Sequence, residues 1–125
     1  MTLKNNLMQD NIISKTVQRY SSFNQLTHLF VGYFHQDFAV EFGDTERALS
    51  VYIDNASTIE LRATADVLSA LIRDVAGLSN EDVGKILVLL GCEYHTPAGG
   101  FTNTTWLEHL ERRLRQALAQ RGATN

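Results

Sequence analysis

The residues of this chain best suited to chemistry are few. Cys92-x-x-His95 has the spacing of a metal-ligand pair, and His28 and His35 supply two more nitrogen donors upstream. Four such donors would suit tetrahedral zinc. A zinc finger, however, usually carries a second cysteine. On one helix His28 and His35 would also stand seven residues, about 10 Å, apart, too far to share an ion without a break. As a nucleophile, Cys92 would need exposure, a histidine base and a third group to orient that base. It follows a wholly apolar run, residues 86–90, which suits a small buried hydrophobe better. Asp37 and Glu41 can be paired as acid and base, but no third element supports them. Gly99-Gly100 lacks the flanking strand of a phosphate-binding loop. The expectation is therefore no metal, no cofactor and no catalytic residue: a protein that binds rather than reacts.

Composition bounds what it can bind, and where. A chain of 125 residues, 44% apolar and 20% charged, fits one soluble globular domain. Its single cysteine excludes an internal disulfide and suits a reducing compartment. The first ten residues show no signal-peptide pattern, and no run approaches the roughly 20 apolar residues of a membrane span. A cytoplasmic protein without membrane contact is expected. The net charge of −3 is unevenly spread: residues 35–60 carry six acids against Arg47 alone, and residues 112–121 carry four arginines and no acid. Such asymmetry can steer a charged partner, or can simply mark two solvated helix faces. Glu108 and Glu111 offset the arginines and the chain is acidic overall, so direct nucleic-acid binding is not expected.

The elements that must position these groups read as helices. In residues 23–38, Phe23, Leu26, Phe30, Tyr33 and Phe34 fall within one arc of about 100°, a core-facing stripe over residues 22–35. His28, His35, Gly32, Gln25 and Gln36 lie opposite. Asp37 returns to the apolar arc, where a carboxylate must accept hydrogen bonds unless the helix ends first. Residues 1–21 read as an N-terminal extension or short helix, with Ile12, Ile13, Val17 and Tyr20 as its apolar side and a frayed start. Residues 38–43 read as an ordered connector. Asp44 caps the next helix. Ser57 and Glu60 form a capping box that opens a helix ending at Gly77, a left-handed terminator, with Arg62 and Asp66 paired outside. Ser79 caps a helix so apolar in its second half that it belongs in the interior, and Gly91 stops it. Thr105 and Glu108 open the last helix, where Glu108–Arg112 and Glu111–Arg115 can pair. The fold class is all-α: a single compact bundle of about five helices in a domain over residues 22–121.

The block Gly32-Tyr33-Phe34-His35-Gln36-Asp37, preceded by Phe23, Leu26 and Phe30, resembles the signature of one family of contact-dependent growth inhibition immunity proteins, CdiI-type, with a YFHQD-like motif. Gly43, the turn Gly91-Cys92-Glu93-Tyr94 and the pair Trp106-Leu107 resemble the features that follow it in that family, in the same order. The resemblance covers residues 23–118. It implies a small helical protein that binds the C-terminal toxin domain of a cognate CdiA-like effector, often a nuclease, and blocks it without catalysis of its own. The expected complex is one-to-one with a monomer. Gly32, Tyr33, Phe34, Gln36, Asp37 and Trp106 are then mainly structural, and His35 can serve either role. Acids matched to a basic toxin cleft, Glu41, Asp44, Glu46 and Asp54, are the expected contacts. A helical adaptor or regulator of another cytoplasmic protein would share every bulk feature and is the alternative.

Overall fold

Alternating apolar stripes and polar caps divide the chain into helices, and the structure, a computed structural model, places them. It describes residues 2–35, 43–93 and 100–123, with side chains from residue 10 to residue 122 of those ranges. Among the described residues there are six helices and no strand: α1 (Thr2–Tyr20), α2 (Asn24–Tyr33), α3 (Thr45–Asn55), α4 (Thr58–Val75), α5 (Asn80–Leu89) and α6 (Asn103–Ala123). The all-α class is as expected; the helix beyond the expected five or so is α1. Its polar first half gives little sign of a 19-residue helix, and its order comes from docking, since most helical stability in proteins is tertiary.

The long helices α4 and α6 form the central pair. Leu61, Ala65, Leu68, Leu71 and Val75 of α4 and Trp106, Leu107, Leu110 and Leu114 of α6 are buried in one cluster with Leu26, Leu29 and Phe30 of α2. α2 lies on α4, α3 touches α2 and α6, α5 packs on α6, and α1 packs on α5. Three caps form where the sequence sets them: the side chains of Asp44, Ser57 and Ser79 accept from the N–H groups of Arg47 (2.7 Å), Glu60 (3.0 Å) and Asp82 (3.1 Å). Such caps each contribute about 1 kcal/mol.

Several details differ from the sequence reading. α6 starts two residues before Thr105, because the Thr102 hydroxyl accepts from the Thr105 N–H (3.1 Å) and so takes the cap position. α4 ends at Val75 through bonds from Ala76 N to Arg73 O and from Leu78 N to Val75 O, and Gly77 keeps a negative φ. Asp66 pairs with Arg115 of α6 (3.0 Å) rather than with Arg62. On α5, Val88 and Leu89 are 59% and 62% exposed. The helix is not enclosed on all sides; α1 covers part of it, leaving a groove of 890 Å³ lined by Asp10, Ile13, Val17, Lys85, Val88 and Leu89.

α1 is fixed at its C-terminal end. Tyr20 is buried, its hydroxyl donates to Asp74 Oδ2 (2.5 Å), and Arg19 pairs with the same carboxylate (3.2 Å). Burial, then the bond to Asp74 and its charge, push the Tyr20 phenol up from 10.0 to about 12. A pKa raised on folding means stability is fully present below pH 10 and is lost as pH climbs from 10 toward 12. Chemical denaturation across that range should show the loss, and Tyr20→Phe should flatten part of it.

Candidate partner-binding surface

The motif block sits at the end of α2 and is tied to two distant parts of the chain. α2 stops at Tyr33, with the Phe34 N–H still bonded to Phe30 O (2.9 Å). The helical wheel of α2 therefore does not extend to His35. His35 is half-buried just beyond the helix; Gln36, Asp37 and Glu41, with most of the 38–43 connector, lie outside the described residues. Phe34 is fully buried, edge-on to Trp106 with ring centres 5.0 Å apart, and Phe30 stacks on the same indole at 6.2 Å. The Phe34 carbonyl accepts from the Glu93 N–H (2.9 Å). That bond brings in the turn after α5, where Gly91 adopts φ +100 and lies against Val31 of α2. Phe34, Gly91-Cys92-Glu93 and Trp106, spread over more than seventy residues, thus meet in one place. Cys92 is buried there, like a small hydrophobe.

Tyr33 is half-buried, edge-on to Tyr52 at 5.2 Å and tilted against His28 at 5.8 Å. Phe23, expected in the core, is exposed, because the helix begins after it. Gly32 lies under His28: a Cβ there would meet the imidazole Cδ2 at 3.4 Å.

Of the acids expected to face a partner, Glu46 and Asp54 lie on α3 and Asp44 caps it, and they are not alike. Asp44 is exposed and already holds the α3 N-terminus. Glu46 is engaged by α6, bonded to His109 Nε2 (2.6 Å) and to Arg113. Phe101 stacks on the His109 ring at 5.1 Å. Asp54 is exposed at the opposite end of α3, beside a shallow polar hollow with Ser50, Arg113, Gln116 and Gln120. Asp44 and Asp54 are ten residues apart, about 15 Å along the helix, so these side chains do not converge.

The arginines of the last helix explain where much of the charge asymmetry goes. Arg113 pairs with Glu46, Arg115 with Asp66 and Glu111 (3.3 Å), and Arg121 donates to Ile53 O (2.7 Å) and Thr58 Oγ1 (3.2 Å). The last pair of bonds secures the α3–α4 junction. The basic stretch thus clasps α3 and α4 rather than forming one open face, a pairing that linear sequence does not reveal. Glu46→Ala should lower unfolding free energy by about 1 kcal/mol, read by urea denaturation.

A second cluster was hidden in the capping box. Ser57 does accept from the Glu60 N–H, but the Glu60 carboxylate turns to His28, whose Nδ1 is 3.2 Å from Oε2. That contact lies outside hydrogen-bonding geometry, and Oε2 is shut off from solvent with no hydrogen bond. Behind it, the Tyr52 hydroxyl shares a hydrogen bond with Thr64 (2.8 Å) in a buried setting. Burial, then the charge of Glu60 and a hydrogen bond toward its carboxylate, push the Tyr52 phenol far above its ordinary range, and the Thr64 bond opposes them. In front lies a hollow of 480 Å³ lined by Asn24, Gln25, His28, Ser57, Ile59, Glu60 and Ala63. Ile59 on its rim is 80% exposed. The sequence signal was Ile59 itself, an apolar residue inside a polar capping box. No cluster of three or more possible metal-ligating side chains occurs among the described residues, and no helix there is long and apolar enough to cross a membrane.

Comparison with known proteins agrees with this architecture. A chain of the crystallised CdiA-CT/CdiI complex from Y. kristensenii 33638 superimposes with a TM-score of 0.66 at 26% identity, over 74% of this chain and 92% of that one. Among curated proteins no match is found. The family model described as CdiI immunity protein matches residues 22–114, which takes in α2 through the first half of α6 and leaves α1 outside. This chain belongs to the CdiI immunity protein family.

Proposed function

We propose that this protein binds the C-terminal toxin domain of a cognate CdiA-like effector and neutralises it, protecting the cell that makes both. The observation that carries the reading is the family match over residues 22–114, with the likeness to a chain of a CdiA-CT/CdiI complex beside it. The protein acts by occupying the toxin in a one-to-one complex, in the cytoplasm, with no cofactor and no reaction of its own. A nuclease is the toxin class that fits best. Its phosphate-binding cleft is basic, and exposed acids such as Asp44 and Asp54 give a surface that such a cleft attracts.

Coexpression with the C-terminal toxin domain of the cognate CdiA-like effector tests the proposal. Growth should be restored, and the two chains should purify together in equal amounts. Continued toxicity in cells that contain soluble, folded protein would refute it.

A further inference from the structure

We infer that the hollow between α2 and the first turn of α4 is where the toxin seats a cationic side chain, an arginine or lysine, with Glu60 as its counter-ion and Ile59 as the apolar contact beside it. This rests on the reading that the partner is a toxin domain and names a place on this chain that would hold it. Three observations lead there. The Glu60 carboxylate does not complete its capping box, and its Oε2 is closed off without a hydrogen bond. Such an oxygen is costly in the free protein. Its covering group, His28, meets it off the bonding direction at 3.2 Å and is itself more than half exposed, so the imidazole is a weakly held lid. The rest of the Glu60 side chain opens to a hollow whose other polar groups, from Asn24, Gln25 and Ser57, offer amide and hydroxyl oxygens to N–H donors.

An incoming guanidinium that displaces His28 would replace a bent contact by charge-assisted hydrogen bonds, forked in the case of arginine. Ile59, at 80% exposure, would lose its water against the same partner. The occupant is cationic because the floor is a carboxylate, and because the basic cleft of a nuclease supplies such side chains. The 890 Å³ groove between α1 and α5 is larger, but nothing in its lining specifies an occupant in this way.

The test is binding of a catalytically inactivated toxin domain to the wild-type chain and to three variants, each checked for an unchanged melting temperature. Glu60→Gln should weaken binding by about 30-fold or more, and Ile59→Ala by about tenfold. His28→Ala should stay within about threefold, since the imidazole leaves the carboxylate on binding. Wild-type binding with Glu60→Gln and Ile59→Ala unaffected would overturn this assignment while leaving the immunity reading intact. Loss of binding by Val88→Asp with Glu60→Gln unaffected would move the toxin to the α1–α5 groove and overturn it equally. Failure of the wild-type chain to bind would instead overturn the immunity reading, and this inference with it.

Discussion

Replacing Trp106 with alanine is expected to remove about 3–5 kcal/mol of stability, a large part of the 5–15 kcal/mol typical of a domain. The indole is 1% exposed and is the point where Phe30 stacks and Phe34 meets it edge-on. Truncation would leave both rings facing a cavity, and the neighbouring helices cannot close it without unseating the bond from Glu93 to Phe34 O. Denaturant titration reads the loss directly. The functional consequence separates scaffold from contact. Protection should fall because folded protein is scarce, and Trp106→Ala protein that is folded, at low temperature for instance, should bind the toxin with nearly wild-type affinity. A change below 1 kcal/mol would mean that the motif's aromatic residues are not what holds α2, the Gly91 turn and α6 together.

Gly91→Ala is the second large effect, about 2–3 kcal/mol, and it has two separable sources. At φ +100 any side chain is strained, which costs about 1–2 kcal/mol. An added Cβ would also lie 2.5 Å from Val31 Cγ2, so α2 or the turn must shift. Pairing the substitution with Val31→Ala should return the steric part and leave the backbone part, a coupling that a double-mutant cycle resolves. Full additivity of the two substitutions would show that the close approach of α2 to this turn has no energetic weight.

Much of the architecture is legible in the sequence because it is written in local rules. Asp44, Ser57 and Ser79 cap the helices they precede, and the stripes of α4 and α6 give the central pair. What was not legible depends on partners far along the chain. Residues 1–21 read as an extension or short helix with a frayed start because their first half is polar, yet Tyr20 anchors α1 on Asp74, fifty-four residues away. Arg115 keeps its pairing with Glu111 on its own helix and also reaches Asp66 of α4, and Arg113 reaches Glu46 of α3, so much of the basic stretch ties helices of the same chain together. Val88 and Leu89 were read as interior because both are apolar, but periodicity cannot count how many neighbours a helix will have.

The candidate site was legible in kind and less so in place. The family resemblance pointed to a binder, and the motif residues Phe34 and Trp106 are buried together. Of the acids that linear clustering picks out, Asp44 and Glu46 have tasks within the fold, Asp54 is exposed, and Glu41 lies outside the described residues. Glu60 was read as half of a capping box, and only the fold shows its carboxylate turned to His28.

Everything proposed for this chain depends on its holding a toxin domain. The most direct measurement is calorimetric titration of the purified chain with the inactivated toxin domain of its cognate CdiA-like effector. One-to-one binding at nanomolar Kd or tighter, about −12 kcal/mol, is expected. A folded chain that takes up no toxin at micromolar concentration would contradict it.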